Sequence, residues 1–169
     1  MIPLLFSEVR VTEVADTPVL LLREQEGSRH LAVWITAAGG NAILSALEEV
    51  DEEHPGTHDL MIDALGVLDA VVESVRITDV DEGVFTAHIV VGGTAVPARL
   101  SDAVALALRC GATILVDEEL LDTVGVAGVA VADGPGREAS GRGEAQMEQF
   151  RAFLDTINPE DFDPGRAEP

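Results

Sequence analysis

His58 and Asp59 stand in the first turn of a helix whose start is marked by Thr57, and Asp102 stands in the first turn of another, after Ser101. Arg99 precedes that second helix and Arg109 lies near its end. Hydrolysis of a phosphodiester needs a metal held by carboxylates, or a general base with a cationic stabiliser. This set holds groups of both kinds. At a helix N-terminus the macrodipole stabilises an anion and favours the neutral form of an imidazole. A neutral His58 can therefore take a proton, while Asp59 and Asp102 can ligate Mg²⁺ or Mn²⁺. Arg99 and Arg109 offer planar forks for bidentate contact with phosphate.

The same residues also read as ordinary helix-end chemistry. Thr57 with Asp59 and Ser101 with Asp102 are N-cap patterns, and Arg109 is the matching choice for a C-terminal turn. Both readings stay open on sequence alone. The other histidines say less: His54 lies in the acidic run "LEEVDEEH", while His30 and His88 fall in strand-like stretches. Trp34 ends a strand beside a helix start, as a core or interface residue would. The sequence has no phosphate loop ending in Lys-Ser/Thr, no Cys/His cluster of metal-ligand type, no nucleophile elbow and no basic stripe.

The elements that must position these groups are written twice. "VRVTEV" at 9–14 returns as "VRITDV" at 75–80. The first copy continues through "VLLLRE" and "RHLAVWI", with a turn around Gly27 and Ser28; the second continues through "VFTAHIVV" and "TAVPARL". Gly92-Gly93, between the last two runs, is a strong hairpin signal because both turn residues can take positive φ. Alanine-rich helical stretches follow, "NAILSAL" and "DAVALAL", and then "THDLMIDALGV" is answered by "VDEELLDTVGV". Gly66 and Gly125 match in that last pair and fall where a helix end can use a left-handed residue.

This pattern predicts one α+β domain over residues 1–126, built from a duplicated three-strand, two-helix unit (1–67 and 68–126). Its sheet is expected to be covered by helices on one side, with pseudo-two-fold character. A Gly/Ala/Ser-rich linker is expected over 127–145. An amphipathic C-terminal helix over 146–158 carries Met147, Phe150, Leu154 and Ile157 at helical spacing, and an extended tail follows at 159–169. The apolar stripe of that last helix needs a cover, either the domain itself or a protein partner.

Charge narrows the function classes. Ten arginines, with no lysine, face 31 acidic residues for a formal net charge of −21. Such a field opposes a polyanion unless cations are concentrated locally or a divalent ion intervenes. Aromatics make up 4% of the chain, so few bases could be stacked. The lysine-free, Ala/Val/Gly/Asp-rich usage suggests a GC-rich genome such as an actinobacterium's, or adaptation to salt. The single Cys110 cannot form an internal disulfide. No apolar run is long enough to span a bilayer, and the start "MIPLLFSEVR" lacks the pattern of a signal peptide. A cytoplasmic protein is expected.

The order of "PVLLLRE", "LAVWI", "THDLMIDALG", "VRITDVDEGVFTAHIVV" and "ARLSDAVALALRCGATILV" resembles the bifunctional nuclease domain family over roughly residues 1–126. The last three stretches are the most specific, and "FLDTINPEDF" is similar to the tail of many bacterial members. The resemblance implies the α+β duplication, a cytoplasmic homo-oligomer, and hydrolysis of DNA or RNA with low sequence preference. It also places His58, Asp59, Arg99, Asp102 and Arg109 at family-matching positions. One departure stands out: members often carry a Glu shortly after the "WI" strand, where this chain has "TAAGGNAI" with Gly39 or Gly40. That departure and the negative field favour the alternative, a non-catalytic oligomeric interaction or regulatory module.

Overall fold

The computed structural model describes residues 1–11, 17–48 and 53–127. The linker, the C-terminal helix and the tail lie outside the described residues, apart from Ala127, and so do the last three residues of the first hexamer.

Two antiparallel meanders supply most of the sheet. The first is β1 (Ile2–Val11), β2 (Pro18–Glu24) and β3 (Arg29–Trp34), with Val9 opposite Leu20 and Leu20 opposite Val33. Helices α1 (Ala37–Ser45) and α2 (Thr57–Val67) follow it. The second meander is β4 (Val72–Asp81), β5 (Val84–Val91) and β6 (Thr94–Ala98). After it come α3 (Leu100–Cys110), β7 (Thr113–Val116), α4 (Glu118–Val124) and β8 (Val126–Ala127). The strand order in the single sheet is β6-β5-β4-β7-β1-β2-β3-β8. β7 runs parallel to β4 and antiparallel to β1, so the two meanders flank it in opposite directions.

Among the described residues the sheet thus has eight strands where the sequence pattern gives six. "TILV" is too short to announce a strand beside a longer helical pattern, and its pairing with β4 is made across the fold rather than locally. β8 carries strand pairing through Ala127, one residue into the stretch read as linker. The expected hairpin at Gly92-Gly93 is present, with φ of 56° and 73°. A second hairpin turn of the same hand lies at Glu82-Gly83, with φ of 47° and 79°.

The helix starts fall earlier than expected. Gly56 and Arg99 are the extended capping residues, and Thr57 and Leu100 are already helical, so neither Thr57 nor Ser101 is an N-cap. Gly66 lies inside α2, and the left-handed position after that helix is taken by Asp69, with φ of 54°. Gly125 is extended at φ of −70°; glycine is needed there because a Cβ would stand 2.2 Å from the Leu121 carbonyl oxygen. The two hexamers also differ in setting. Val75 and Ile77 are fully buried, whereas Val11 is 60% exposed at the end of β1.

One large core joins Leu20, Leu22, Leu31 and Val33 with Val75, Ile77 and the buried faces of α1, α3 and α4. α3 is almost wholly inside: Ala103, Val104, Ala105, Leu106 and Ala107 are all buried, and the three alanines among them let other elements approach closely. A smaller cluster gathers Val19 and Leu21 with Ala32, Trp34 and Val126, residues that alternate with those of the main core. Among the described residues no helix is long and apolar enough to cross a membrane.

Candidate functional site

The five singled-out residues come together where α1, α2 and α3 meet. α2 begins after the extended Gly56, and its first turn presents His58 and Asp59. α3 begins directly after β6, so its first turn holds Asp102, and Arg109 follows almost two turns later on the same helix.

His58 Nε2 lies 3.2 Å from Asp102 Oδ1. The other oxygen of Asp102 accepts from Arg99 Nε at 2.6 Å. The result is an Arg99–Asp102–His58 chain. With Asp102 as the acceptor the ring carries a proton on Nε2, and in the neutral form of that tautomer the lone pair lies on Nδ1. His58 and Asp102 are mostly enclosed, with side chains 19% and 25% exposed, while Arg99 is 77% exposed. Arg99 therefore spends one edge of its guanidinium on Asp102 and turns the remainder to solvent.

Arg109 behaves differently. Its side chain is 7% exposed, and its Nε donates to Asp59 Oδ1 at 2.7 Å. One terminal nitrogen donates to the Ala42 and Ala105 carbonyls at 2.9 and 3.1 Å, and the other to Ser45 Oγ at 2.9 Å. Each nitrogen of the guanidinium is spoken for, and the bonds reach α1, α2 and α3 itself. This is a clamp between helices. A phosphate could reach the group only by displacing the clamp, so Arg99 is the cation turned outward. Ser45 is not marked in the sequence, since a lone serine in an alanine-rich helix carries no signal of a partner on another helix.

The carboxylates do not form a metal cradle. Asp59 faces the Arg109 guanidinium, and Asp102 faces both Arg99 and His58. Among the described residues no group of three His, Cys, Asp or Glu side chains could hold a metal ion. The donor set does not fit Mg²⁺ or Mn²⁺ as arranged, because each carboxylate already has a cationic or imidazole partner that an ion would have to displace.

The strand-to-helix junctions of the two meanders also enclose an open cavity of about 580 Å³, lined by residues 33–36, 83–85 and 97–101. Arg99 belongs to its wall and to the Arg99–Asp102–His58 chain at once. Gly39 shows why the junctions approach so closely: a Cβ there would lie 2.8 Å from Ser101 Cβ. Counted from the capping residues Thr36 and Arg99, Gly39 takes the place in α1 that Asp102 takes in α3. Thr36 accepts a hydrogen bond from the Gly39 amide at 3.1 Å.

Two other charged features stand apart. Arg29 bonds Glu24 and Asp122, tying the β2–β3 hairpin to α4. The hydrogen bond from Arg29 holds the Glu24 carboxyl below its usual range, and Glu24 in turn pushes the Arg29 guanidinium up. His30 is buried, and that burial lowers its pKa from the ordinary histidine value.

Residues 20–128 match the family model described as the bifunctional nuclease domain. The chain is also similar to two proteins of Mycobacterium tuberculosis, Uncharacterized protein MT1877 (strain CDC 1551 / Oshkosh) and Uncharacterized protein Rv1829 (strain ATCC 25618 / H37Rv). Each is 39% identical to it over 156 residues, covering 91% of this chain and 93% of the relative.

Proposed function

Because the chain belongs to the bifunctional nuclease domain family, we propose that it hydrolyses phosphodiester bonds of single-stranded DNA or RNA, with little sequence preference, at the Arg99–Asp102–His58 chain. The single observation that carries this reading is His58 Nε2 held 3.2 Å from Asp102, whose other oxygen is held by an outward-facing arginine. That is the arrangement of a general base, its orienting carboxylate and a phosphate cation. His58 Nδ1 takes a proton from water as the water oxygen bonds to phosphorus. The bond from phosphorus to the leaving oxygen breaks, and the proton passes from His58 to that oxygen. Arg99 balances the charge that builds on the phosphoryl oxygens. Asp59 and Arg109 position the site by fixing α2 against α3. A metal-assisted route through Asp59 and Asp102 requires both carboxylates to leave their arginines.

The two meanders with their helices are read as copies of one unit, which accounts for their opposite directions about β7 and the like placing of α1 and α3. A second reading, a non-catalytic interaction module, is favoured by one feature. α2 buries none of its residues, and it leaves Leu60 and Met61 exposed, as Leu44 in α1 and Leu47 just after it are. Such a face suits a homo-oligomer or protein partner.

Cleavage of labelled single-stranded DNA and RNA decides between them, run with Mg²⁺, with Mn²⁺ and with EDTA. The expected result is cutting that survives EDTA and falls by about 10²–10⁴-fold in His58→Ala. Cutting abolished by EDTA and by Asp59→Asn would replace the general-base route with the metal route. No cutting by wild type at high enzyme concentration would leave the interaction module.

A further inference from the structure

The cavity between the two strand-to-helix junctions has more than apolar walls. Of the chain's five phenylalanines and single tryptophan, Phe85 and Trp34 both border it, and Pro97 and Leu100 add flat or aliphatic surface. Thr36, Ser101 and Arg99 are the lining residues with polar side chains, two hydroxyls and a guanidinium. Apolar walls with a few convergent polar groups, and a volume of about 580 Å³, suit a small planar ligand bearing one anionic group. The charge pattern provides for one such group at the cavity itself. Among the described lining residues Arg99 is the only cation, Asp81 and Glu82 precede Gly83 of the lining in sequence, and the whole chain carries a net charge of −21. Arg99 is also the residue that holds Asp102 beside His58, so an anion on its outward nitrogens lies next to that pair.

We propose that this cavity receives one unpaired nucleobase of a single-stranded DNA or RNA, with the adjoining phosphate held by Arg99. The proposal rests on the reading of Arg99 as the phosphate cation of the site and names how that site takes hold of its substrate. A base can enter a pocket only when it is out of a duplex stack, so the cavity selects single strands over duplexes. Aromatic and apolar walls accept any base, because every base has a π-face, and this accounts for low sequence preference without hydrogen-bond readout.

Trp34, the sole tryptophan, makes binding visible without any cleavage. Full-length protein is titrated with adenosine, adenosine monophosphate, adenosine triphosphate, a short single strand and its duplex. Binding is followed by Trp34 fluorescence and, in parallel, by calorimetry. Saturable binding of the monophosphate and the single strand is expected, with the duplex and the triphosphate giving no gain. Arg99→Gln should weaken monophosphate binding by about tenfold or more, to the level of adenosine, through loss of a charge-assisted contact. Val84→Glu adds a carboxylate at a lining position that is 72% exposed, so folding is spared, and it should weaken binding similarly. Absence of monophosphate and single-strand binding overturns the proposal, as does binding unchanged in both variants or an adenosine affinity equal to that of the monophosphate. Binding without cleavage would sink the nuclease reading and leave this one standing. Cleavage without nucleotide binding would do the reverse.

Discussion

α1 and α3 occupy like places, each entered directly from the last strand of a meander, yet they are built for different work. α3 carries Asp102 in its first turn and Arg109 in its last. α1 has no acidic residue in its first turn and no basic one in its last, and it has Gly39 where α3 has Asp102. The charged apparatus therefore sits on α3 and α2, and α1 is the plate against which α3 packs. Glycine at position 39 follows from contact as much as from chemistry, because Ser101 of α3 fills the space a side chain would take. The lesson is that two similar scaffolds can share a seam only if one of them gives up bulk there. A carboxylate at position 39 and the present α1–α3 approach are mutually exclusive.

The largest expected effect breaks the α3 side of this comparison. Arg109→Met removes the clamp and leaves Asp59, 15% exposed, without its cation. Loss of one partner of an enclosed ion pair costs about 3–5 kcal/mol, readable as a lower denaturation midpoint at unchanged m-value. Asp59→Asn should cost much less, since Arg109 keeps the Ala42, Ala105 and Ser45 acceptors. Equal losses from the two variants would show that the pair, rather than the three-helix clamp, is what Arg109 provides.

That clamp also marks the boundary of what the sequence could tell. The residue types were legible: an imidazole and carboxylates at helix starts, and an arginine near a helix end. The pairing was not, because His58 and Asp102 are 44 residues apart and Asp59 and Arg109 are 50 apart, and neither distance follows from a local pattern. The Gly92-Gly93 turn and the buried run of β2 were readable because their chemistry is local. β7 was hidden for the opposite reason. Four residues became the central strand through contacts with β4 and β1, both distant in the chain. The caps were misplaced by one or two residues because Gly56 and Arg99 cap through backbone conformation alone, with no side-chain bond to announce them.

The next effect tests the α1 side. Gly39→Ala puts a Cβ 2.8 Å from both Cβ and Oγ of Ser101, and overpacking of this kind costs about 1–3 kcal/mol. If the seam is the cause, Ser101→Gly should recover part of the loss in a double-mutant cycle, with a coupling beyond about 0.5 kcal/mol. Additive losses would mean that the two helices adjust independently and that Ser101 is not what requires glycine at position 39.

The smallest effect separates two glycines that the sequence pairs. Gly66 and Gly125 stand at matching places in "DALGV" and "DTVGV", yet their surroundings differ. A Cβ at Gly125 would run into the Leu121 carbonyl, whereas one at Gly66 would meet no atom within 4 Å. Gly66 is helical, with no positive φ to protect. Alanine there gives up no contact and narrows the unfolded ensemble, so Gly66→Ala should raise stability by about 0.5–1 kcal/mol. A thermal melt of this variant, checked against urea denaturation, measures the gain. Destabilisation would mean that the exposed face of α2 is covered by something in solution, most simply a second copy of the chain. A melting temperature that rises with protein concentration in wild type and loses that dependence in Gly66→Ala would identify it as such.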